Sequence, residues 1–255
     1  MTEAFVVIDL ETTGLEPANA DIVEWAAIVI RPPWFDGGSF EEVSALVKPP
    51  VPIPAETSAV HHIIDADVKD APAWSEQSSQ VIALLDQKGR IAVAHNAEYE
   101  KAVLAKHGIP LVPAWLCTYK AACRIWPGAP GLSNEVLRYW LGLGTGRTGH
   151  QQPHSALHDA RVTAQILSEL LRVGASIEDM LKWTTEPALL PTCPLGDWRG
   201  KKWGEVDEGF LMWIVRKIQD RPDVVFCART ELDRRERERR AAASATTNAE
   251  DDVPF

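Results

Sequence analysis

Apolar residues first form three short extended runs, and then alternate with segments of helical spacing. Residues 4–10 (AFVVIDL), 22–30 (IVEWAAIVI) and about 42–48 (EVSALVK) predict three strands joined by short connections. The second run is almost continuously apolar, which is typical of a central strand. The proline-rich segment KPPVPIP (48–54) follows them and excludes regular structure there.

Beyond the prolines, helical and extended patterns alternate. A short buried strand is predicted at 91–95 (IAVAH), and helices are predicted at 76–87, about 98–107, 133–141 and 155–173. Three strands followed by alternating strand and helix indicate an α/β domain with a mixed sheet. We place this domain at residues 1–175.

From about residue 176 the composition changes, and we expect a small accessory module at 176–228. The stretch from Trp198 to Trp203 (WRGKKW) fits either a stacking and phosphate-contacting platform for single strands or a β-turn module with a solvated basic face. A helix is predicted near 207–219. Residues 229–255 form a charged tail, in which the Arg/Glu run favours helix and the last 15 residues are expected to be disordered.

Length and cysteine use narrow the class of protein. The chain of 255 residues has no apolar stretch long enough for a membrane span, and its start (MTEAFVV) lacks the features of a signal peptide. Cys117, Cys123, Cys193 and Cys227 are scattered without a CxxC pair. This pattern argues against structural zinc and a disulfide framework, so we expect a reducing cytoplasm and no membrane partner.

The net charge of −10 is unevenly distributed along the chain. Residues 1–100 contain 17 acidic and 5 basic side chains, whereas residues 101–255 contain 19 acidic and 21 basic ones. An acidic half suits divalent cations, which would offset the repulsion of a phosphate backbone. It is equally consistent with a solvated surface, and the count alone leaves both interpretations open.

Two carboxylates end the first predicted strand. In VVIDLETTGL (6–15), Asp9 and Glu11 share one face of an extended chain while Leu10 points to the other. Two neighbouring carboxylates near a buried edge are costly unless something neutralises them. The alternative is a strand that emerges into solvent with hydrated acids and a Thr-Thr-Gly turn.

Two further acidic positions follow apolar or helix-starting segments. In AVAHNAEYEKAVL (92–104), Glu98 and Glu100 enter a helix just after a buried strand. In HSALHDARVTAQIL (154–167), Asp159 lies in the first turns of the last long helix, and His154 lies on the loop that enters it. Because a loop–helix junction separates them, His154 and Asp159 can converge on one site.

Four carboxylates and a histidine suit phosphodiester hydrolysis. Two metal ions would neutralise the scissile phosphate, activate a water and stabilise the leaving oxygen. Oxygen ligands without cysteine favour magnesium or manganese over zinc. A histidine with an unperturbed pKa of roughly 6.5 suits removal of the proton from that water.

The three motifs DLETTGL, HNAEYE and HSALHDA, in this order, resemble those of the DEDDh 3′→5′ exonucleases. Three other segments are similar to the bacterial exonuclease X branch of that family: AVHHIID (59–65), CTYKAACRIWPG (117–128) and LGDWRGKKW (195–203). The likeness covers roughly residues 4–220. It implies a ribonuclease-H-like mixed sheet flanked by helices, with two divalent metal ions, Mg²⁺ or Mn²⁺, as cofactors.

The resemblance also implies roles by position. Asp9 would bridge both metals, and Glu11 and Asp159 would hold the metal that carries the nucleophilic water. Glu100 would serve the second metal, and His154 would be the general base. Residues expected around the substrate are Thr12, Thr13 and Gly14 through backbone amides, Leu15 as a wedge against a base, and His61, Asn96 and Tyr99.

One position departs from the family pattern. Glu100 stands where the second motif usually has aspartate, and its extra methylene moves the carboxylate by about one bond length. It would either reach the second metal through a water or weaken that site, lowering the rate or shifting preference towards Mn²⁺. Glu98 is expected to point elsewhere.

Histidines spaced by four also resemble a helical zinc site. They are His150, His154 and His158, but Pro153 would break the helix that joins them and no cysteine supports the site. We therefore disfavour zinc and expect His158 to be an exposed helix residue.

The terminal EDDVPF resembles the acidic tip of bacterial single-stranded-DNA-binding protein. Such tips dock a C-terminal Phe and its carboxylate into a basic-rimmed apolar pocket of their partners. By this resemblance Asp251, Asp252, Pro254 and Phe255 would bind a protein that recognises the tip.

Together these features predict a metal-dependent 3′→5′ exodeoxyribonuclease. It would release 5′-mononucleotides from DNA 3′ ends, single-stranded ones foremost, in DNA repair or recombination. An RNA-trimming enzyme like ribonuclease T or oligoribonuclease is the alternative substrate class, and the accessory segment favours DNA. A catalytically impaired nucleic-acid-binding or scaffold protein is the other alternative, which Glu100 keeps open.

Overall fold

The computed structural model describes residues 4–32, 40–110, 114–144 and 154–250, with side chains up to residue 243. Its contacts divide the chain into two units, one ending at Glu186 and one beginning at Pro187. Among the residues described, no helix is both long enough and apolar enough to cross a bilayer.

The first unit is built on a five-stranded mixed sheet. Its strands, in the order β3-β2-β1-β4-β5, are β1 (Ala4–Thr12), β2 (Ile22–Ile30), β3 (Phe40–Leu46), β4 (Arg90–Ala94) and β5 (Trp115–Cys117). β1 is antiparallel to β2 and parallel to β4, and β2 lies inside the sheet, as its apolar run predicts. The predicted mixed sheet is confirmed.

Helices cover both faces of this sheet. They are α1 (Ala55–His61), α2 (Asp65–Val68), α3 (Trp74–Leu85), α4 (Glu98–Lys106), α5 (Thr118–Ile125), α6 (Asn134–Leu141), α7 (Ala156–Arg172) and α8 (Ile177–Thr185). α3 and α4 pack on the face that carries Val6 and Ile8. α5 to α8 pack on the opposite face, which carries Phe5 and Val7.

Helix α7 is the long helix that lies across β1 and β2. Its N-terminus is capped by the Ser155 side chain, which accepts a hydrogen bond from the amide of His158. Val162, Ile166 and Leu170, each one turn apart, are fully buried against the sheet. The sheet and this stripe together fix where the first turn of α7 lies.

Helix α8 belongs to the first unit, which moves the boundary from the predicted residue 176 to residue 187. The Thr184 hydroxyl accepts the amide of Cys117 at 2.8 Å, and Lys120 Nζ donates to the Thr184 carbonyl at 2.8 Å. These bonds tie α8 to β5 and α5. The change in composition near residue 176 therefore marks a turn inside the domain.

The second unit contains η1 (Gly196–Trp198), η2 (Trp203–Glu205), α9 (Glu208–Lys217) and α10 (Pro222–Glu250). Its core contains Trp203, Leu211, Ile214 and Cys227. The helix predicted near 207–219 is confirmed as α9. Helix α10 continues through the Arg/Glu run to Glu250, further than its composition favours, and residues 251–255 lie outside the described residues.

Candidate active site

Two carboxylates lie at the end of β1, on the face that α7 covers. Asp9 and Glu11 alternate with Leu10, so they share a face with Phe5 and Val7. The pairing with β2 shifts register just after Glu11, a bulge of the kind that re-aims side chains next to active sites. The carboxyl ends of the parallel strands β1 and β4 meet at this edge.

The first turn of α7 brings a third carboxylate to this edge. Ligand oxygens of Asp9, Glu11 and Asp159 all lie within 4.8 Å of one another. Burial raises the pKa of Asp159, and the backbone amide of His154 lies near enough to act in the opposite direction, so the loop before α7 lies beside this carboxylate. Such a cluster of oxygen atoms has the donor set that magnesium and manganese prefer.

The electrostatics of this acid triad, Asp9, Glu11 and Asp159, demand a counter-charge. Burial, and then the charge of Asp159, raises the pKa of Glu11 to about 9. Burial also raises the pKa of Asp9 well above its usual range, and the charges that add to this effect belong to Asp159, Glu11, Glu100 and Glu24. At neutral pH such a cluster either keeps protons or binds cations, so it fits divalent metal ions.

Glu100 lies just outside the triad. It is buried in the first turn of α4, and its charge acts on both Asp9 and Glu11. Burial raises its pKa to about 8, and its Oε2 has no hydrogen-bond partner among the described residues. A buried carboxylate oxygen without a donor is uncommon and suits a metal ligand. Glu98 is exposed and faces Lys101 and Lys120, so it points elsewhere, as predicted.

Glu24 is a fifth carboxylate, which the sequence interpretation missed. It lies on β2 directly opposite Glu11, and its Oε2 accepts the amide of Ala156 at 2.9 Å. Burial raises its pKa even though this bond acts in the opposite direction. The signal in the sequence was a single acid inside an otherwise apolar strand. Glu24 thus fastens the first residue of α7 to the sheet.

Two histidines approach the same edge. His154 is exposed and has a positive φ of 65°. His61 Nδ1 accepts the amide of Ile63 at 3.1 Å, so its proton lies on Nε2. That Nε2 atom is buried and has no hydrogen-bond partner among the residues described, although the carbonyl of Thr12 is near enough to act on the ring. Burial lowers the pKa of His61, and His154 adds to this effect.

The expectation for His158 was wrong. The side chain is 3% exposed, and its Nε2 lies 2.7 Å from Glu135 Oε1 because α6 packs beside α7. Ligand atoms of Glu135, His158 and Asp159 also lie within 4.8 Å of one another. Arg138 already neutralises Glu135 through both of its oxygens, so this group is a hydrogen-bonded support beside Asp159.

A hydrogen-bonded polar cluster lies at the end of β1, beside Glu11 in the chain. The Tyr99 hydroxyl lies 2.5 Å from both Thr12 Oγ1 and the Gly14 carbonyl, and burial raises its pKa. The amide of Thr13 donates to the Asp21 carbonyl at 2.8 Å, which holds the loop after β1 in place. Leu15, at 92% exposure, projects into solvent from this loop.

Asn96 is the last of the predicted substrate-contacting residues. It is exposed with a positive φ of 74° in the turn between β4 and α4. His150 and Pro153 lie outside the described residues, as do the tail residues Asp251, Asp252, Pro254 and Phe255.

A mixed sheet of this order, with carboxylates gathered at the end of its middle strand, defines a ribonuclease-H-like nuclease. A family model described as an exonuclease (RNase_T) matches residues 6–167. The chain is also 33% identical over 217 residues to Exodeoxyribonuclease 10 of Escherichia coli K12, covering 83% of this chain and 90% of the relative. The chain therefore belongs to this exonuclease family, and the resemblance to DEDDh 3′→5′ exonucleases is confirmed.

Solved structures agree with this assignment. Exonuclease X in complex with 5′ overhanging duplex DNA is 31% identical, has a TM-score of 0.58, and covers 71% of this chain and 99% of its own. E. coli exonuclease I with a dT13 oligonucleotide is 15% identical, has a TM-score of 0.56, and covers 66% and 41%. The second match shows the shared fold alone.

Proposed function

We propose that this chain is a metal-dependent 3′→5′ exodeoxyribonuclease. It releases 5′-mononucleotides from DNA 3′ ends, single-stranded ones foremost, in DNA repair or recombination. The observation that carries the proposal is the acid triad, whose oxygens gather within 4.8 Å at the end of β1. DNA is favoured over RNA because the E. coli relative at 33% identity is named as an exodeoxyribonuclease and the exonuclease X structure at 31% identity is a complex with DNA.

Four carboxylates would hold two divalent ions, Mg²⁺ or Mn²⁺. Asp9, Glu11 and Asp159 supply one set of oxygens, and Asp9 with the unpartnered Glu100 Oε2 supplies the other. When bound, such ions neutralise the scissile phosphate, activate the attacking water and stabilise the leaving oxygen. The absence of sulfur ligands from this set favours these hard cations over zinc.

The chain's own groups do the rest of the chemistry. His154 accepts the proton of the attacking water through its ring, while its amide lies beside the Asp159 carboxylate. His61 Nε2–H, buried and without a partner among the described residues, donates a hydrogen bond to the substrate backbone. The polar cluster of Thr12 and Tyr99 holds the terminal nucleotide, together with the neighbouring Thr13, Gly14 and Asn96. The exposed Leu15 wedges against a base.

The test compares end-labelled substrates with magnesium or manganese. A single-stranded DNA labelled at its 5′ end should shorten to a ladder, and the same DNA labelled at its 3′ end should release labelled 5′-mononucleotide at once. Asp9→Asn should abolish both products. An RNA of equal sequence should be degraded more slowly. A faster RNA reaction would transfer the proposal to the exoribonuclease class, and intact DNA with either metal would contradict it.

The tail supports a separate proposal about a partner. The residues EDDVPF carry the acidic and aromatic groups of a single-stranded-DNA-binding protein tip. We propose that they bind a protein that recognises that tip. A fluorescent peptide of the last ten residues should bind such a protein, and removal of Phe255 should abolish binding. Equal binding by both peptides, or none, would contradict it.

The cysteines support a proposal about location. All four are buried and form no disulfide, which suits the reducing cytoplasm in which we place the protein.

A further inference from the structure

The exposed face of α9 has an unusual composition. Gly209, Met212, Trp213, Arg216 and Lys217 are all exposed and follow helical spacing, while Leu211 and Ile214 are buried on the other face. A solvated helix face is ordinarily polar. Here a tryptophan that is 46% exposed lies one turn before two basic residues. This stripe of α9 therefore offers an aromatic surface beside positive charge.

A stacking contact with Phe210 fixes the orientation of the Trp213 ring. The two rings stack with 5.4 Å between ring centroids and 18° between planes. Phe210 packs against the core of the second unit, and its ring lies next to Gly196 in η1. A pre-positioned aromatic face loses little conformational freedom when a further planar group stacks on it.

Exposed basic residues occur in the two segments that carry this aromatic pair and its neighbour Gly196. Arg216 and Lys217 follow Trp213 on α9, and Arg199, Lys201 and Lys202 lie in the turn that begins at Gly196. None of these five side chains forms an ion pair or a hydrogen bond within the described part of the chain.

The same segments contain acidic residues, most of which have partners of their own. The Asp207 carboxylate accepts the amide of Phe210, the Glu205 carboxylate accepts the amide of Lys202, and Glu208 pairs with Arg239. Asp197 is exposed in the turn. Residues 196–217 thus carry five basic side chains against four acidic ones, of which Glu208 is paired with Arg239, and this small excess of positive charge favours an anionic ligand.

We propose that this α9 surface, formed by Phe210, Trp213, Arg216, Lys217 and the basic turn at 199–202, binds single-stranded DNA. A base stacks on Trp213 while the basic side chains contact the neighbouring phosphates. The choice of DNA rests on the proposed function. Single strands are favoured because a duplex keeps its base faces stacked inside and presents none to the ring.

The exposed aromatic ring thus lies on α9, whereas the sequence analysis placed the stacking platform in the WRGKKW stretch. Trp203, in the WRGKKW stretch, is only 8% exposed and donates its indole N–H to the Leu190 carbonyl at 2.7 Å. It is a core residue of a tight turn, in which the amide of Gly200 donates to the Cys193 carbonyl. The turn supplies charge, and α9 supplies the exposed ring.

The first test measures binding without cleavage. The full chain, in EDTA, is titrated into a fluorescein-labelled oligothymidylate of about 20 nucleotides, and anisotropy is recorded at several salt concentrations. Trp213→Ala should weaken binding by about fivefold or more, and Trp213→Phe should restore most of it. Trp140→Ala is the matched control, because Trp140 is 45% exposed on the first unit, and it should bind like the wild type.

The second test examines the basic side chains with two double variants that change the net charge by the same amount. Arg216→Glu with Lys217→Glu should weaken binding and flatten its salt dependence, whereas Arg229→Glu with Arg237→Glu, both exposed on α10, should change affinity by less than about twofold. If both the Trp213→Ala variant and the α9 charge variant bind with wild-type affinity, the proposal that the α9 surface binds DNA is wrong. Equal losses in the α9 and α10 charge variants would also overturn it.

A second readout separates this inference from the proposed activity. In parallel, cleavage of a thymidine trinucleotide and of longer DNA by the wild type is assayed with Mg²⁺. If the wild type leaves both the trinucleotide and longer DNA intact, the exonuclease proposal is refuted. The titration in EDTA would still show whether the α9 surface binds single-stranded DNA.

Discussion

At the scale of single residues, Glu24 shows how one side chain can serve the site without belonging to the triad. Its carboxylate faces Glu11 across the β1–β2 pair and accepts the first amide of α7, the helix that carries Asp159. The acid was visible in IVEWAAIVI, yet an isolated strand gives no sign of which amide it meets. Only the packing of α7 across β2 supplies that partner.

Glu24→Ala should lower Mn²⁺ affinity by about tenfold, because the start of α7 loses its anchor on the sheet. Glu24→Gln should retain most of the affinity, since its amide oxygen can still accept the Ala156 N–H. Calorimetric titration with Mn²⁺ measures both variants. Equal losses in the two would mean that the charge of Glu24 acts directly on the metal.

Glu100 tests whether the longer carboxylate has a catalytic role. Glu100→Gln preserves its size but removes the charge, and should lower the cleavage rate by at least about 100-fold. Glu100→Asp should raise the Mg²⁺ rate relative to the Mn²⁺ rate, because the carboxylate retreats by about one bond length. Single-turnover rates with each metal provide the readout. Wild-type rates in Glu100→Gln would show that the Glu100 carboxylate has no catalytic role, whereas no cleavage by the wild type with either metal would support the impaired-enzyme hypothesis.

At the scale of elements, the predicted helices and strands are those with a long regular pattern. β1, β2, β4, α4 and α7 lie within a few residues of their predicted positions. β5, α5 and α8 went unpredicted because contacts with the rest of the unit define them, such as the bond from Cys117 to Thr184. Ser176, whose hydroxyl caps α8 at Asp179, was a local signal that composition masked.

The contact between α6 and α7 predicts a stability effect. His158→Ala should reduce the free energy of unfolding by about 2 kcal/mol, because it removes a buried hydrogen bond to Glu135 and leaves a void. Arg172→Ala, which breaks an exposed pair with Glu169 on the same helix, should leave the free energy of unfolding nearly unchanged. Urea denaturation of both variants provides the comparison. Equal small effects would show that the buried bond contributes nothing.

At the scale of the whole molecule, the carboxylate cluster couples metal binding to stability. Burial raises the pKa of Glu100 to about 8 and that of Glu11 to about 9, whereas an unfolded glutamate titrates near roughly 4.3. Between these values the folded state binds more protons than the unfolded state. Without metal, stability is therefore greatest at low pH in this window and falls as pH rises towards 9.

In EDTA the Tm should fall between about pH 5.5 and 8.5, and Mg²⁺ should raise it most at the upper end, where the carboxylates are ionised. Glu11→Gln removes one titrating group, so its Tm in EDTA should depend less on pH and exceed the wild-type value at pH 8.5. Differential scanning calorimetry supplies these values. A wild-type Tm that rises with pH in EDTA would contradict the buried cluster.

The number of Mn²⁺ ions bound per chain is the direct test of the proposal that these carboxylates hold two catalytic ions. Electron paramagnetic resonance of free Mn²⁺ counts the ions bound per chain, and DNA cleavage is assayed on the same samples. The wild type should bind two ions, Glu100→Gln one, and Asp9→Asn no tightly bound ion, and Asp9→Asn should not cleave DNA. Unchanged stoichiometry in Asp9→Asn, or its full cleavage of DNA, would contradict the account.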